Sequence, residues 1–137
     1  MTAEEVFVRG VWMTVPSEDD TAWVKRVAAL PVTNRPLGDY GLLVRRMLEC
    51  GVSEYEIARF AKIIGYETAF GIAYLLDDPS AGFTETANPE RVLWRVYQVD
   101  EATEQPARPL TAPHELMLSA DPSGREMRPR SAVASGS

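Results

Sequence analysis

Four side chains in this sequence could do chemistry together: the adjacent carboxylates Asp77 and Asp78, and the neighbouring pair His114 and Glu115. Side-by-side carboxylates suit a divalent cation or general-base work, and a neutral imidazole beside a carboxylate suits a general base or a metal ligand. His114 is the only histidine. The zinc-protease pattern HExxH needs a second histidine where Leu118 stands, so a tight zinc site would have to rest mostly on carboxylates, an unusual ligand set. No G-x-S-x-G elbow marks a nucleophile, and the scattered glycines form no phosphate-binding loop, so neither a metal nor a nucleotide cofactor is expected. Each candidate also has a structural reading: Asp78 opening the turn before Pro79, Asp77 paired with Arg45, Arg46 or Arg91, and His114 as a packing or surface residue. Glu67, on the most apolar stretch of the chain, is either a buried carboxylate or a solvated or paired acid.

A second constellation is cationic. Arg125, Arg128 and Arg130 concentrate positive charge near the end of an otherwise acidic chain, and Arg is well suited to bidentate contacts with carboxylates. They are the expected binding residues, gripping an acidic partner or a second copy, unless they clamp the chain onto its own acids, Asp77 and Asp78 among them.

The elements that must hold these groups follow from local signals. Thr2 and Glu5 have capping-box spacing, which favours a helix over the following AEEVFVRGVWMTV, although its valines would also suit a strand. Ser17 is placed to cap a second helix, with Glu18, Asp19 and Asp20 at its positive end and Trp23, Val24, Val27 and Ala28 on one face. Apolar periodicity predicts a helix over about 38–50, stopped by Gly51. Ser53 and Glu56 form another capping box, and no proline interrupts the chain from there to Pro79, so one long helix is predicted over 54–77, with Gly65 as the point where it would kink. Its expected core residues are Phe60, Ile64, Phe70, Ile72, Leu75 and Leu76, together with Leu43, Val44, Met47 and Leu48. VLWRVYQVD, alternating Val92, Trp94, Val96 against Leu93, Arg95, Tyr97, predicts a strand, and Asp121-Pro122-Ser123-Gly124 a turn between two short extended runs, where a small antiparallel sheet is expected.

The resulting fold class is α+β, mainly α: a helical bundle around the long central helix with a small C-terminal antiparallel sheet, in one globular domain over 1–130 followed by a mobile tail over 131–137. At 137 residues with 45% hydrophobic and 25% charged side chains, the chain can bury a core. Residues 1–121 carry 11 basic and 19 acidic side chains, which disfavours nucleic-acid binding. GVSEYEIARFAKIIGYETAF has a helix-turn-helix look, but YETAFGIAYLL offers no Arg, Lys, Asn or Gln to base edges. Cys50 stands alone, the first residues lack a signal-peptide charge pattern, and no apolar run reaches the roughly 18 residues of a membrane span. A cytoplasmic protein with no membrane partner is expected. Two functional classes result: a non-catalytic protein-binding module (inhibitor, immunity-type or adaptor protein), engaging a protein partner or itself, and a small hydrolase or metal-dependent enzyme using Asp77, Asp78, His114 and Glu115. The lack of any catalytic motif favours the first.

Overall fold

The computed structural model describes residues 1–79 and 90–130. Among these are helices α1 (Ala3–Trp12), α2 (Ala22–Ala28), α3 (Tyr40–Glu49) and α4 (Glu54–Asp77), a sheet of β1 (Tyr97–Val99) and β2 (Pro106–Pro109), and a 3-10 turn, Pro113–Leu116. The fold is α+β and mainly α, with one long helix and a small antiparallel sheet in its C-terminal part. Two compact units emerge, Val15–Gly65 and Met1–Thr14 with Tyr66–Ser137, and α4 contributes its first half to the former and its second half to the latter.

Both capping boxes form. Thr2 Oγ1 accepts the Glu5 N–H at 3.1 Å while the Glu5 carboxylate accepts the Thr2 N–H, so α1 is a helix despite its valines. Ser53 and Glu56 reciprocate in the same way at the start of α4. α4 runs unbroken through Gly65, whose missing side chain serves packing: a Cβ there would lie 3.1 Å from Pro16 and 3.2 Å from Val15.

In the Val15–Gly65 unit, α2 packs on α3, and Val24, Val44, Ile57 and Ala58 form the core, with Met47 and Leu48 packed against it. Arg45 reaches from α3 to the end of α2 and donates to the carbonyls of Ala28 (2.6 Å) and Leu30 (2.7 Å), satisfying acceptors the helix leaves open. The second helix starts later than its cap signal implied. Ser17 Oγ accepts the Asp19 and Asp20 N–H groups in a turn, α2 begins at Ala22, and Glu18 is buried instead of solvating a helix end.

The other unit is built on aromatic rings. Tyr66, Phe70 and Tyr74 follow one another at i, i+4 and i+8 along α4 with centroids 6.0 and 6.4 Å apart; Trp12 stacks on Tyr66 at 5.8 Å, and His114 meets Phe70 and Tyr74 edge-on. The indole of Trp12 donates to the Met117 carbonyl at 2.9 Å, and Met117 is fully buried.

Three expectations are corrected. Of the strand predicted over VLWRVYQVD only Tyr97–Val99 forms, while residues 92–96 stay irregular and Trp94 donates its indole N–H to the Leu75 carbonyl. The sheet pairs Tyr97–Val99 with Pro106–Pro109, not the segments around Asp121: the Asp121–Gly124 turn forms, with Gly124 N–H donating to the Asp121 carbonyl, but its flanks are a 3-10 turn and further turns. Thirdly, α4 buries Ile57, Ala58, Lys62, Ala69 and Ala73 while Phe60 (65% exposed), Ile64 (47%) and Ile72 (53%), with Leu43 of α3, lie on the surface. The buried face of α4 thus combines Ile57 and Lys62 with three alanines, while Phe70, Leu75 and Leu76 are half-buried. The tail over 131–137, expected to be mobile, lies outside the described residues, as does most of the loop that follows Pro79.

Candidate functional site

Asp77 and His114, 37 positions apart in sequence, come together where α4 ends and the 3-10 turn begins. Asp77 Oδ1 accepts the Ala112 N–H at 2.8 Å, and Oδ2 lies 3.9 Å from His114 Nδ1. Ala112 has a left-handed backbone (φ 45°), an uncommon conformation for a residue with a side chain, and it is the residue whose N–H meets the carboxylate. The imidazole is nine-tenths buried, and Nδ1 has no hydrogen-bond partner. These contacts settle the helix-end carboxylate: Asp77 is held by a backbone donor and faces the histidine, and among the described residues it pairs with none of Arg45, Arg46 and Arg91.

The other two candidates differ. Glu115 is exposed beside His114, and Asp78 continues the helical hydrogen bonding by donating its N–H to the Tyr74 carbonyl at 2.9 Å. No hydroxyl or thiol is hydrogen-bonded to His114, and among the described residues no three His, Cys, Asp or Glu side chains gather closely enough to hold a metal ion. The pair can orient an imidazole.

Arg128 donates to Glu126 at 2.9 Å and is largely exposed, and the C-terminal segment is shaped by the buried Asp121, which accepts from Ser123 N–H, Ser123 Oγ and, at 2.8 Å, Met127 N–H. Asp77 itself is engaged by the Ala112 N–H and faces His114; among the described residues it is not engaged by Arg125, Arg128 or Arg130. Glu67 is exposed in mid-helix, which rules out the buried-carboxylate reading.

Sequence reasoning missed two charged sites. In the Val15–Gly65 unit Glu18 is 1% exposed and takes Arg59 at 3.1 Å and Lys62 at 3.5 Å, with Lys62 itself buried. In the other unit, Glu4 accepts both Nη groups of Arg108 (2.9 and 2.8 Å) and the Thr111 N–H at 3.1 Å. The Arg108 guanidinium, helped by the backbone N–H groups of Glu4 and Thr111, holds the Glu4 carboxyl down to about 2 from an ordinary 4.5. Their partners lie 41 and 104 positions away in sequence, so no local signal announces either site.

One further feature of the second unit is apolar. A groove of about 410 Å³ runs between α1 and the second half of α4, lined by Val6, Phe7, Gly10, Val11, Thr14, Ala69, Ile72 and Ala73, without a charged residue. A more polar hollow of about 450 Å³, between Arg9, Trp12, Met13 and the 119–122 segment, contains one carboxylate, Asp121, which its own turn already engages.

Compared with known proteins, the chain matches no family model, and no curated protein or solved structure is found similar to it. No helix among the described residues is long and apolar enough to cross a membrane.

Proposed function

We propose that this chain is a non-catalytic protein-binding module of the cytoplasm, and that the groove between α1 and α4 is its binding face. The observation that carries the reading is the groove's lining: eight residues with no charge, of which Val6 and Ile72 are more than half exposed. Contiguous exposed apolar surface on a soluble chain marks an interaction site more often than it marks nothing, and a cleft between two helices accepts the apolar face of a third. The lone Cys50 favours a reducing compartment, and the acidic charge disfavours nucleic acid as the partner.

The test compares two immobilised baits, the wild-type chain and Gly10→Leu, in extract from the native host. Proteins retained by the first and lost by the second, copies of the chain included, are the expected outcome. Identical retention on both baits would remove the groove from the binding face.

The approach of His114 to Asp77 favours a second reading, a small hydrolase in which Asp77 orients the imidazole as a general base. Hydrolysis of generic ester or phosphoester substrates that disappears in His114→Phe would move the function to that site.

A further inference from the structure

We infer that β1 is an open sheet edge to which a second copy of this chain adds its own β1, antiparallel about a two-fold axis at Gln98, so that two hairpins become one four-stranded sheet. No residue of β1 lines the groove between α1 and α4, so the two surfaces can fail separately.

The hydrogen bonds of the hairpin fix which main-chain groups point outward. Leu110 donates its N–H to the Val96 carbonyl, and Asp100 donates its own to the Gln105 carbonyl, both at 2.9 Å. In an antiparallel pair, residues that bond to the partner alternate with residues that face away from it. With Val96, Gln98 and Asp100 turned toward β2, the N–H and C=O groups of Tyr97 and Val99 turn away from it. Pro109 and Pro106, which stand opposite these two, have no N–H to offer them.

The two edges of the ribbon are not equally guarded. An unpaired edge invites another strand, and prolines and bulges are common guards against it. β2 has both: a proline at each end, and Ala107 as the extra residue where the register jumps from Arg108 to Pro106. β1 has neither, and all three of its residues are exposed, Tyr97 at 42% and Val99 at 54%.

The sequence of the edge complements itself. About a two-fold axis at Gln98, Tyr97 of each copy lies opposite Val99 of the other. Each such pair exchanges both main-chain hydrogen bonds and joins an aromatic to a β-branched side chain, a favourable cross-strand combination. One place beyond the bonded stretch at either end, the same register sets Arg95 against Glu101. Both are exposed, and neither side chain has a hydrogen-bond or ion-pair partner among the described residues. Antiparallel addition also keeps the two acidic turns, with Asp100, Glu101 and Glu104, at opposite ends, each beside the segment of the other copy that carries Arg91 and Arg95. Isologous pairing of this kind is the commonest way in which soluble chains form dimers.

Sedimentation equilibrium of the full chain, from micromolar to near-millimolar concentration, together with amide hydrogen exchange read residue by residue, tests this. The wild type should be a reversible dimer in which the Tyr97 and Val99 amides gain protection as concentration rises, whereas the Gln98 amide, bonded to β2, is protected throughout. Val99→Pro removes an outward N–H and should leave a monomer. Arg95→Glu and Glu101→Arg, both at exposed positions, should each raise the dissociation constant of the dimer by about tenfold, and the two together should restore it. A wild-type chain that stays monomeric overturns the second copy as the added strand. A dimer whose Tyr97 and Val99 amides exchange as fast as in the monomer removes β1 from its interface, and a double reversal that recovers nothing refutes the register.

Discussion

Glu18 and Glu4, one in each compact unit, are both buried carboxylates, yet they are satisfied in different ways. Glu18 sits between Arg59, 17% exposed, and Lys62, 4% exposed, so three charges are taken out of water together. Glu4 has one guanidinium in bidentate contact and a backbone N–H, and the Arg108 side chain is 48% exposed. What distinguishes the two sites is where the partner stands. If the Glu18 carboxylate is removed, water cannot readily reach the cations left behind; if Glu4 loses its carboxylate, Arg108 already reaches solvent.

The sharpest way to break that comparison is Glu18→Ala. Removing one member of a buried ionic group costs about 3–5 kcal/mol, because the charges left behind stay desolvated and lose its compensating charge. Urea denaturation should show that loss, whereas Glu4→Ala should cost clearly less. Equal losses would mean that partner exposure does not set the penalty here.

Neither site was legible, and the reason is distance along the chain. The capping boxes at Thr2–Glu5 and Ser53–Glu56, the long helix and the Asp121–Gly124 turn depend on residues within a few positions of one another, and all of them form. Asp77 and Asp78 stood out because two acids at a helix C-terminus need an explanation, and for Asp77 that explanation proved to be Ala112 and His114. The strand predicted over VLWRVYQVD is confined to Tyr97–Val99, because alternation cannot say which part of a segment has a pairing partner. Its true mate, Pro106–Pro109, read as loop by its prolines, which are tolerated because a two-stranded ribbon leaves one side of each strand unpaired.

Acid sharpens the contrast at Glu4. Its folded pKa, about 2, lies below the ordinary 4.5, so the folded state gains stability fully above about 4.5 and loses it as the pH falls toward 2. Asp100, held down chiefly by the Thr103 N–H, acts in the same direction. Replacing Arg108 with Ala removes the main cause at Glu4 alone. Stability followed by urea denaturation from pH 5 to about 2 should therefore fall less steeply in Arg108→Ala than in the wild type, and unchanged steepness would show that Glu4 does not carry the acid response.

His114 supplies a smaller effect of opposite sign. A buried nitrogen without a hydrogen bond costs about 1–3 kcal/mol, and phenylalanine keeps a ring against Phe70 and Tyr74 while removing that nitrogen. His114→Phe should leave stability unchanged or raise it by about 1 kcal/mol. A loss beyond about 2 kcal/mol would mean that the imidazole is held by Asp77 more firmly than a separation of 3.9 Å implies.

The smallest effect is the most decisive for α4. Helical periodicity places Phe60 in the core, where truncation to alanine costs about 3–5 kcal/mol. Its exposure of 65%, beside buried Ala58 and Lys62, makes it a surface residue, for which substitutions usually stay within about 0.5 kcal/mol. Truncating Met117, fully buried in the other unit, should cost about 2–5 kcal/mol and serves as the control for a true core position. Thermal melts of Phe60→Ala and Met117→Ala therefore separate a helix that buries its alanines from one that buries its large residues. If Phe60→Ala costs as much as Met117→Ala, the inward face of α4 has been assigned to the wrong residues.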